Sequence, residues 1–137
     1  MDDEARRARI RQFVAAINTG EMAVFDALYH DDVVVQWSQS GEVIRGKKNI
    51  RELREAYPTP PTATLGRIIG TGDLWAIEML FDYDGDRFHV VVIHQWRDGL
   101  VASETSYYAA PFEAPAWRAK WVADEPTTKM IGVREEG

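Results

Sequence analysis

The chain has no cysteine among its 137 residues. Disulfides, thiolate nucleophiles and Cys-held metals are therefore excluded, and a reducing compartment is favoured. No apolar run approaches the roughly 18 residues that a membrane span needs. The N-terminus, Met1-Asp2-Asp3-Glu4, is acidic and then basic, without the apolar stretch of a signal peptide. These absences predict a soluble, cytoplasmic protein. Positive charge is scarce as well: 16 Lys and Arg stand against 22 Asp and Glu, a formal net charge of -6. That balance opposes polyanions, so nucleic acid is not an expected partner. Arg6, Arg7, Arg9 and Arg11 form a local basic cluster, which reads as a solvated helix face rather than a phosphate-binding stripe. Internal repeats and low-complexity tracts are lacking, and the length suits one domain. A chain of this size buries about two-thirds of its unfolded surface and needs no staple.

What is present is a change of hydrophobic period along the chain. Ile10, Phe13, Val14 and Ile17 follow the i, i+3, i+4, i+7 spacing of an amphipathic helix over residues 4–19. Gly20 suits a left-handed cap at its end. Met22, Phe25, Leu28 and Tyr29 repeat the spacing in a second helix, which His30-Asp31-Asp32 is expected to break. Val33 to Trp37 is β-branched and aromatic and reads as a strand, and Val43 to Arg45 as its short return. A third helix starts at Gly46-Lys47, with Ile50, Leu53 and Tyr57 on one face, and ends at Pro58, Pro60 and Pro61. From Thr62 the period is two. Segments 63–70, 74–83, 88–97 and 100–109 read as strands, separated by Gly72-Asp73 and by the hairpin signals Asp84-Gly85 and Asp98-Gly99. Ala116 to Val122 is expected to form one or two helical turns, with a loose polar tail from Glu125. Helices first and a long meander after is an α+β layout.

The last hairpin carries the chemistry. His94, Glu104, Ser106, Tyr107 and Tyr108 sit among Val, Ile and Trp. By the period of two, Glu104, Ser106 and Tyr108 share a face. Glu104 either enters an apolar pocket, where desolvation would raise its pKa into the range of a neutral-pH acid or base, or points to solvent or pairs with an Arg. His94 alternates with Val92 and Trp96 and is either a proton shuttle or a satisfied core histidine. His89 falls on the opposite face, so the two are not a metal pair. Asp82-Tyr83-Asp84-Gly85-Asp86 has its Gly misplaced for a calcium loop, and Ile93 stands where a bidentate Glu is needed. No metal and no cofactor are expected. Glu78 is opposite in phase to Met79 and Phe81 and suits the outer face.

Tyr29-His30-Asp31-Asp32-Val33-Val34-Val35, Ser40-Gly41-Glu42-Val43-Ile44-Arg45-Gly46, Arg97-Asp98-Gly99-Leu100-Val101 and Tyr107 to Pro115 together resemble the SnoaL-like group of the nuclear transport factor 2-like superfamily. The likeness runs over about residues 5–123 and marks a single SnoaL-like domain across 1–137. It implies a cone-shaped cup, a curved and mostly antiparallel sheet around three N-terminal helices. It also implies homodimers through the outer sheet face. Relatives include polyketide cyclases, ketosteroid isomerases, limonene-type epoxide hydrolases and modules that only bind. The isomerases' carboxylate position is taken here by Trp37, and the epoxide hydrolases' acidic network by Met79, Phe81 and Ser106.

Two expectations stay open. One is a cup holding a small apolar or aromatic molecule, lined by Phe13, Ile17, Tyr29, Trp37, Leu53, Tyr57, Met79, Phe81, Trp96, Ser106 and Tyr108. In it, Glu104 assisted by His94 would carry cofactor-free isomerisation, cyclisation or dehydration. The other is a binding or dimerisation module without chemistry. Phe112, Trp117 and Trp121 would fold back over the cup mouth or cover a dimer seam.

Overall fold

The computed structural model describes residues 1–123; the loose tail expected from Glu125 lies outside the described residues. Three helices, α1 (Asp3–Thr19), α2 (Met22–Leu28) and α3 (Lys47–Ala56), precede or interleave with six strands. These are β1 (Tyr29–Trp37), β2 (Glu42–Arg45), β3 (Thr62–Thr71), β4 (Leu74–Tyr83), β5 (Asp86–Arg97) and β6 (Leu100–Ala109). The strands form one sheet in the order β2-β1-β6-β5-β4-β3. Only β1 and β6 run parallel; the other pairs are antiparallel. The fold is α+β, with a curved, unclosed mixed sheet whose inner face packs on the helices.

Local signals fix α1. The Asp2 side chain accepts from the Ala5 N–H at 2.8 Å, and Gly20, at φ 75°, closes the other end with its N–H on the Ala16 carbonyl. Between them Ile10, Phe13 and Val14 are buried against the sheet. The basic cluster on this helix departs from the expected solvated face. The Arg7 guanidinium donates to the Ile68 carbonyl at 2.9 Å and lies 4.9 Å from the Trp75 ring centre. Arg6 reaches Asp73 at 3.1 Å. These long side chains tie α1 to β3 and β4, their stems covering apolar surface.

β1 starts at Tyr29, four residues earlier than its β-branched run. The cause is pairing: Tyr29 sits opposite Val101, Val34 opposite Ser103, and the intervening His30-Asp31-Asp32-Val33 bulges out between them. A second bulge lies on β6. Trp96 pairs with Val101 and Gln95 with Ser103, so Ala102 is unmatched. This extra residue resets the alternation, and both Val101 and Glu104 face the core. Were Ala102 paired regularly instead, strict alternation from Val101 would turn Glu104 outward. Gly70 is required by a close approach: a Cβ there would stand 2.4 Å from the Leu74 carbonyl oxygen and 2.8 Å from the Trp75 ring. A short 3-10 helix, Ala116–Trp121, follows the sheet and buries no residue.

Candidate functional site

Between the three helices and the inner sheet face lies a cavity of about 310 Å³. Phe13, Ala16 and Ile17 of α1, Met22 and Phe25 at α2, and Ile50, Leu53 and Arg54 of α3 form one side. Val35, Trp37, Met79, Phe81, Val92, Glu104, Ser106 and Tyr108 form the other, and Tyr57 and Tyr83 stand near the mouth. The walls are mostly apolar, with few polar groups, the usual composition of a small-molecule site.

At its inner wall the polar groups are linked. The Tyr29 hydroxyl donates to Glu104 Oε1 at 2.7 Å, and His94 Nε2 contacts the same oxygen at 2.7 Å. A carboxylate only accepts, so Nε2 carries the proton in that contact. Arg54 Nη2 donates to the Tyr29 hydroxyl at 3.3 Å. The result is one chain, Arg54 to Tyr29 to Glu104, with His94 joining from behind. The Arg54 guanidinium lies 3.8 Å from the Phe25 ring centre and 6.0 Å from that of Phe13, which holds it over the aromatic wall by cation–π attraction. Glu104 Oε2 and Arg54 Nη1 make no hydrogen bond among the described residues, while Arg54 Nε and His94 Nδ1 are buried without a partner there.

Electrostatics correct one expectation. Burial does push the Glu104 carboxyl up, but the hydrogen bond and charge of His94, the charge of Arg54 and the Tyr29 hydrogen bond outweigh it, and the net direction is down. Glu104 is an ionised carboxylate at neutral pH, not a protonated acid. Arg54 loses to desolvation but gains more from Tyr29 and Glu104, so its pKa rises and it stays cationic. Burial, then the Glu104 charge, lifts the Tyr29 hydroxyl well above its ordinary value. Burial, helped by the same charge, pushes Tyr108 up to about 12. Both tyrosines are neutral donors.

The residues read from the sequence separate into two groups. Phe13, Ile17, Trp37, Leu53, Tyr57, Met79, Phe81, Glu104, Ser106 and Tyr108 meet at the cavity. Tyr29, Trp96 and His94 do not line it. Tyr29 is fully buried and acts through Glu104, and His94 packs edge-on to Phe13 with centroids 5.0 Å apart. Trp96 pairs with Val101 beyond His94, away from the mouth. Strand alternation gives the face but not the depth along it, hence the misplacement. Glu78 lies on the outer face and is bidentate to Arg67. Phe112, Trp117 and Trp121 do not close the mouth; they are 80%, 75% and 71% exposed. Among the described residues no cluster of three or more His, Asp or Glu could hold a metal, and no helix is long and apolar enough to cross a membrane. Arg54 was missed, although it falls four residues after Ile50 and three before Tyr57, on the same helical face.

Comparison with known proteins agrees with this architecture. The family described as SnoaL-like domain matches residues 10–104. An NTF-2 like protein of unknown function from Burkholderia xenovorans LB400 is 35% identical, with a TM-score of 0.84, over 92% of this chain and 99% of that one. A candidate ketosteroid isomerase from Kribbella flavida DSM 17836 is 26% identical, with a TM-score of 0.86, over 99% of both chains. An LEH-like epoxide hydrolase from M. tuberculosis, at 20% identity and a TM-score of 0.63 over 74% of this chain and 80% of that one, shares the fold. No curated protein matches.

Proposed function

We propose that this chain, which belongs to the SnoaL-like domain family, binds a small, largely apolar or aromatic carbonyl compound in its cup and shifts a proton on it without a cofactor. The observation that carries this reading is the pair of free polar atoms, Arg54 Nη1 and Glu104 Oε2, the only charged groups of a mostly apolar wall among the described residues, bridged behind by Tyr29. One is a fixed cationic donor and the other an ionised acceptor. Their charges cancel, so a neutral ligand is favoured over an ion.

The chemistry follows from the roles. Glu104 Oε2 takes a proton from the carbon next to the ligand carbonyl; the C–H electron pair forms a C=C bond and the carbonyl π pair moves onto the oxygen. The developing oxyanion is held by the Arg54 donor, placed in advance by its stacking on Phe25. The proton on Glu104 then returns to another carbon, which is isomerisation. Expulsion of a β-hydroxyl, protonated by Glu104 as it leaves, is dehydration; attack of the enolate carbon on a second carbonyl carbon of the same molecule, whose π pair passes to its oxygen and takes up the Glu104 proton, is cyclisation. His94 and Tyr29 hold Glu104 in position rather than touching the ligand.

A second reading, a binding module without turnover, draws support from the same site. Hydrogen bonds from His94 and Tyr29 and the nearby Arg54 charge make Glu104 a weak base. One experiment separates them. Cyclic and aromatic ketones and their deoxygenated hydrocarbons are titrated calorimetrically, and α-proton exchange of the bound ketones into D2O is followed by NMR. The catalytic reading expects ketones to bind better and exchange, with Glu104→Gln keeping binding but losing exchange by about 100-fold or more. Binding without exchange in the wild type leaves the module. No preference for the ketones removes the Arg54–Glu104 pair from recognition. The proposal also includes a cytoplasmic setting and a homodimer through the outer sheet face, where Ile69, Leu74 and Tyr107 are exposed.

A further inference from the structure

The cup does not end at its apolar wall. Outward of it lies a more open vestibule of about 500 Å³, lined by Trp37, Tyr57, Tyr83, Asp86, Phe88 and Tyr108. Five of the six are aromatic. Phe88 and Asp86 are not part of the inner cavity wall. We infer that this vestibule is a binding site for a tertiary or quaternary ammonium group.

Shape is the first ground. Tyr83 and Phe88 meet at 86° with centroids 5.6 Å apart, and Phe81, a residue of the inner cavity wall rather than of the vestibule, crosses Tyr83 at 62° and Tyr108 at 63°. A flat ring wants parallel walls to stack between. Walls set at large angles instead surround a rounded group such as a methylated ammonium, which the negative ring faces attract. The walls are also held: the Tyr57 and Tyr83 hydroxyls hydrogen-bond each other at 3.0 Å across the opening.

Charge is the second ground. Among the described residues Asp86 is the sole charged one lining the vestibule. Its cross-strand partner is Tyr83, so both side chains lie on the inner side of the sheet. No ion pair neutralises it among the described residues, whereas its neighbour Arg87 turns to the other face and meets Asp82 at 3.5 Å. Among the described residues no cation lines the vestibule. Arg54, the guanidinium of the inner cavity, is bonded to Tyr29 and compensated by Glu104. A formal net charge of -6 favours the approach of cations from solution.

The test is independent of proton transfer: it needs no turnover, and the residues it changes, Asp86 and Phe88, lie outside the inner cavity wall. The full chain is titrated by calorimetry with choline and with 3,3-dimethylbutan-1-ol, which has the same shape with carbon in place of the charged nitrogen. Choline is expected to bind at least about tenfold more tightly, an effect in the range of desolvated cation–π contacts. Its affinity should fall as salt rises, through screening of Asp86. Asp86→Asn and Phe88→Leu should each weaken choline by about threefold or more, with circular dichroism checking that both remain folded. Equal affinity for the neutral alcohol would reduce the vestibule to an apolar surface and overturn the inference. So would choline failing to bind the folded wild type at millimolar concentration, or binding that neither substitution alters.

Discussion

Glu104 shows how a residue's neighbours decide its role. Placed in an apolar cup, a lone carboxylate has its pKa raised; here His94, Arg54 and Tyr29 reverse the direction. The sign has a consequence for stability. A carboxylate whose pKa is lowered on folding contributes stability that is present above the unfolded value and lost as pH falls through the folded one. The stability gap between the wild type and Glu104→Gln, measured by urea unfolding, should therefore hold steady from neutrality down to the ordinary glutamate value of 4.5 and shrink only below it. A gap that instead widens in the wild type's favour as pH falls from neutrality to that value would mean a raised pKa. Tyr29→Phe removes a donor from Glu104 and an acceptor from Arg54 while keeping the ring. It should cost about 1–3 kcal/mol, because it leaves buried polar groups short of partners; a thermal melt with unchanged midpoint would contradict this. The alternation of residues 104, 106 and 108 made Glu104 legible in the sequence. The bridge through Tyr29 was not, because it joins residues 75 apart in the chain.

Among the elements, the strands were read nearly as they stand, since Asp-Gly turns and a period of two are local signals. The bulges were not. Ala102 carries no signature that distinguishes it from a regular strand residue, yet its unmatched position keeps Glu104 opposite His94. Inserting one residue between Ser103 and Glu104 should turn Glu104 outward, and the ketone binding described above should be lost, whereas deleting Ala102 leaves the inward phase intact. Retained binding in the insertion variant would show that the register adjusts elsewhere. The early start of β1 has the same origin, a long-range pairing with β6 that overrides the turn-forming His30-Asp31-Asp32. Gly70→Ala should lower stability by about 1–3 kcal/mol, as overpacking does, because its Cβ would meet Leu74 and Trp75 backbone and ring atoms within 3.0 Å. Unchanged urea unfolding would mean that the β3–β4 turn can shift freely.

For the whole molecule, the order of helices and strands was enough to give the cup, because an apolar helix face and an apolar sheet face must cover each other. What fills the space between them is a matter of depth, and there Trp96 and Arg54 exchanged places relative to the reading from sequence. The outer sheet face, with Ile69, Leu74 and Tyr107 exposed, carries the proposed dimer. Sedimentation should give twice the chain mass of 15.6 kDa, and Tyr107→Lys should shift it toward the monomer; a wild-type monomer at micromolar concentration would exclude that pairing. The central claim concerns the cup itself. Its most direct test is a high-resolution crystal structure of the protein with a bound cyclic ketone from the titration panel. The account predicts the ketone oxygen within hydrogen-bond distance of Arg54 Nη1, with the adjacent carbon facing Glu104 Oε2. A collapsed cup, with Glu104 turned to solvent and the ketone elsewhere, would contradict it.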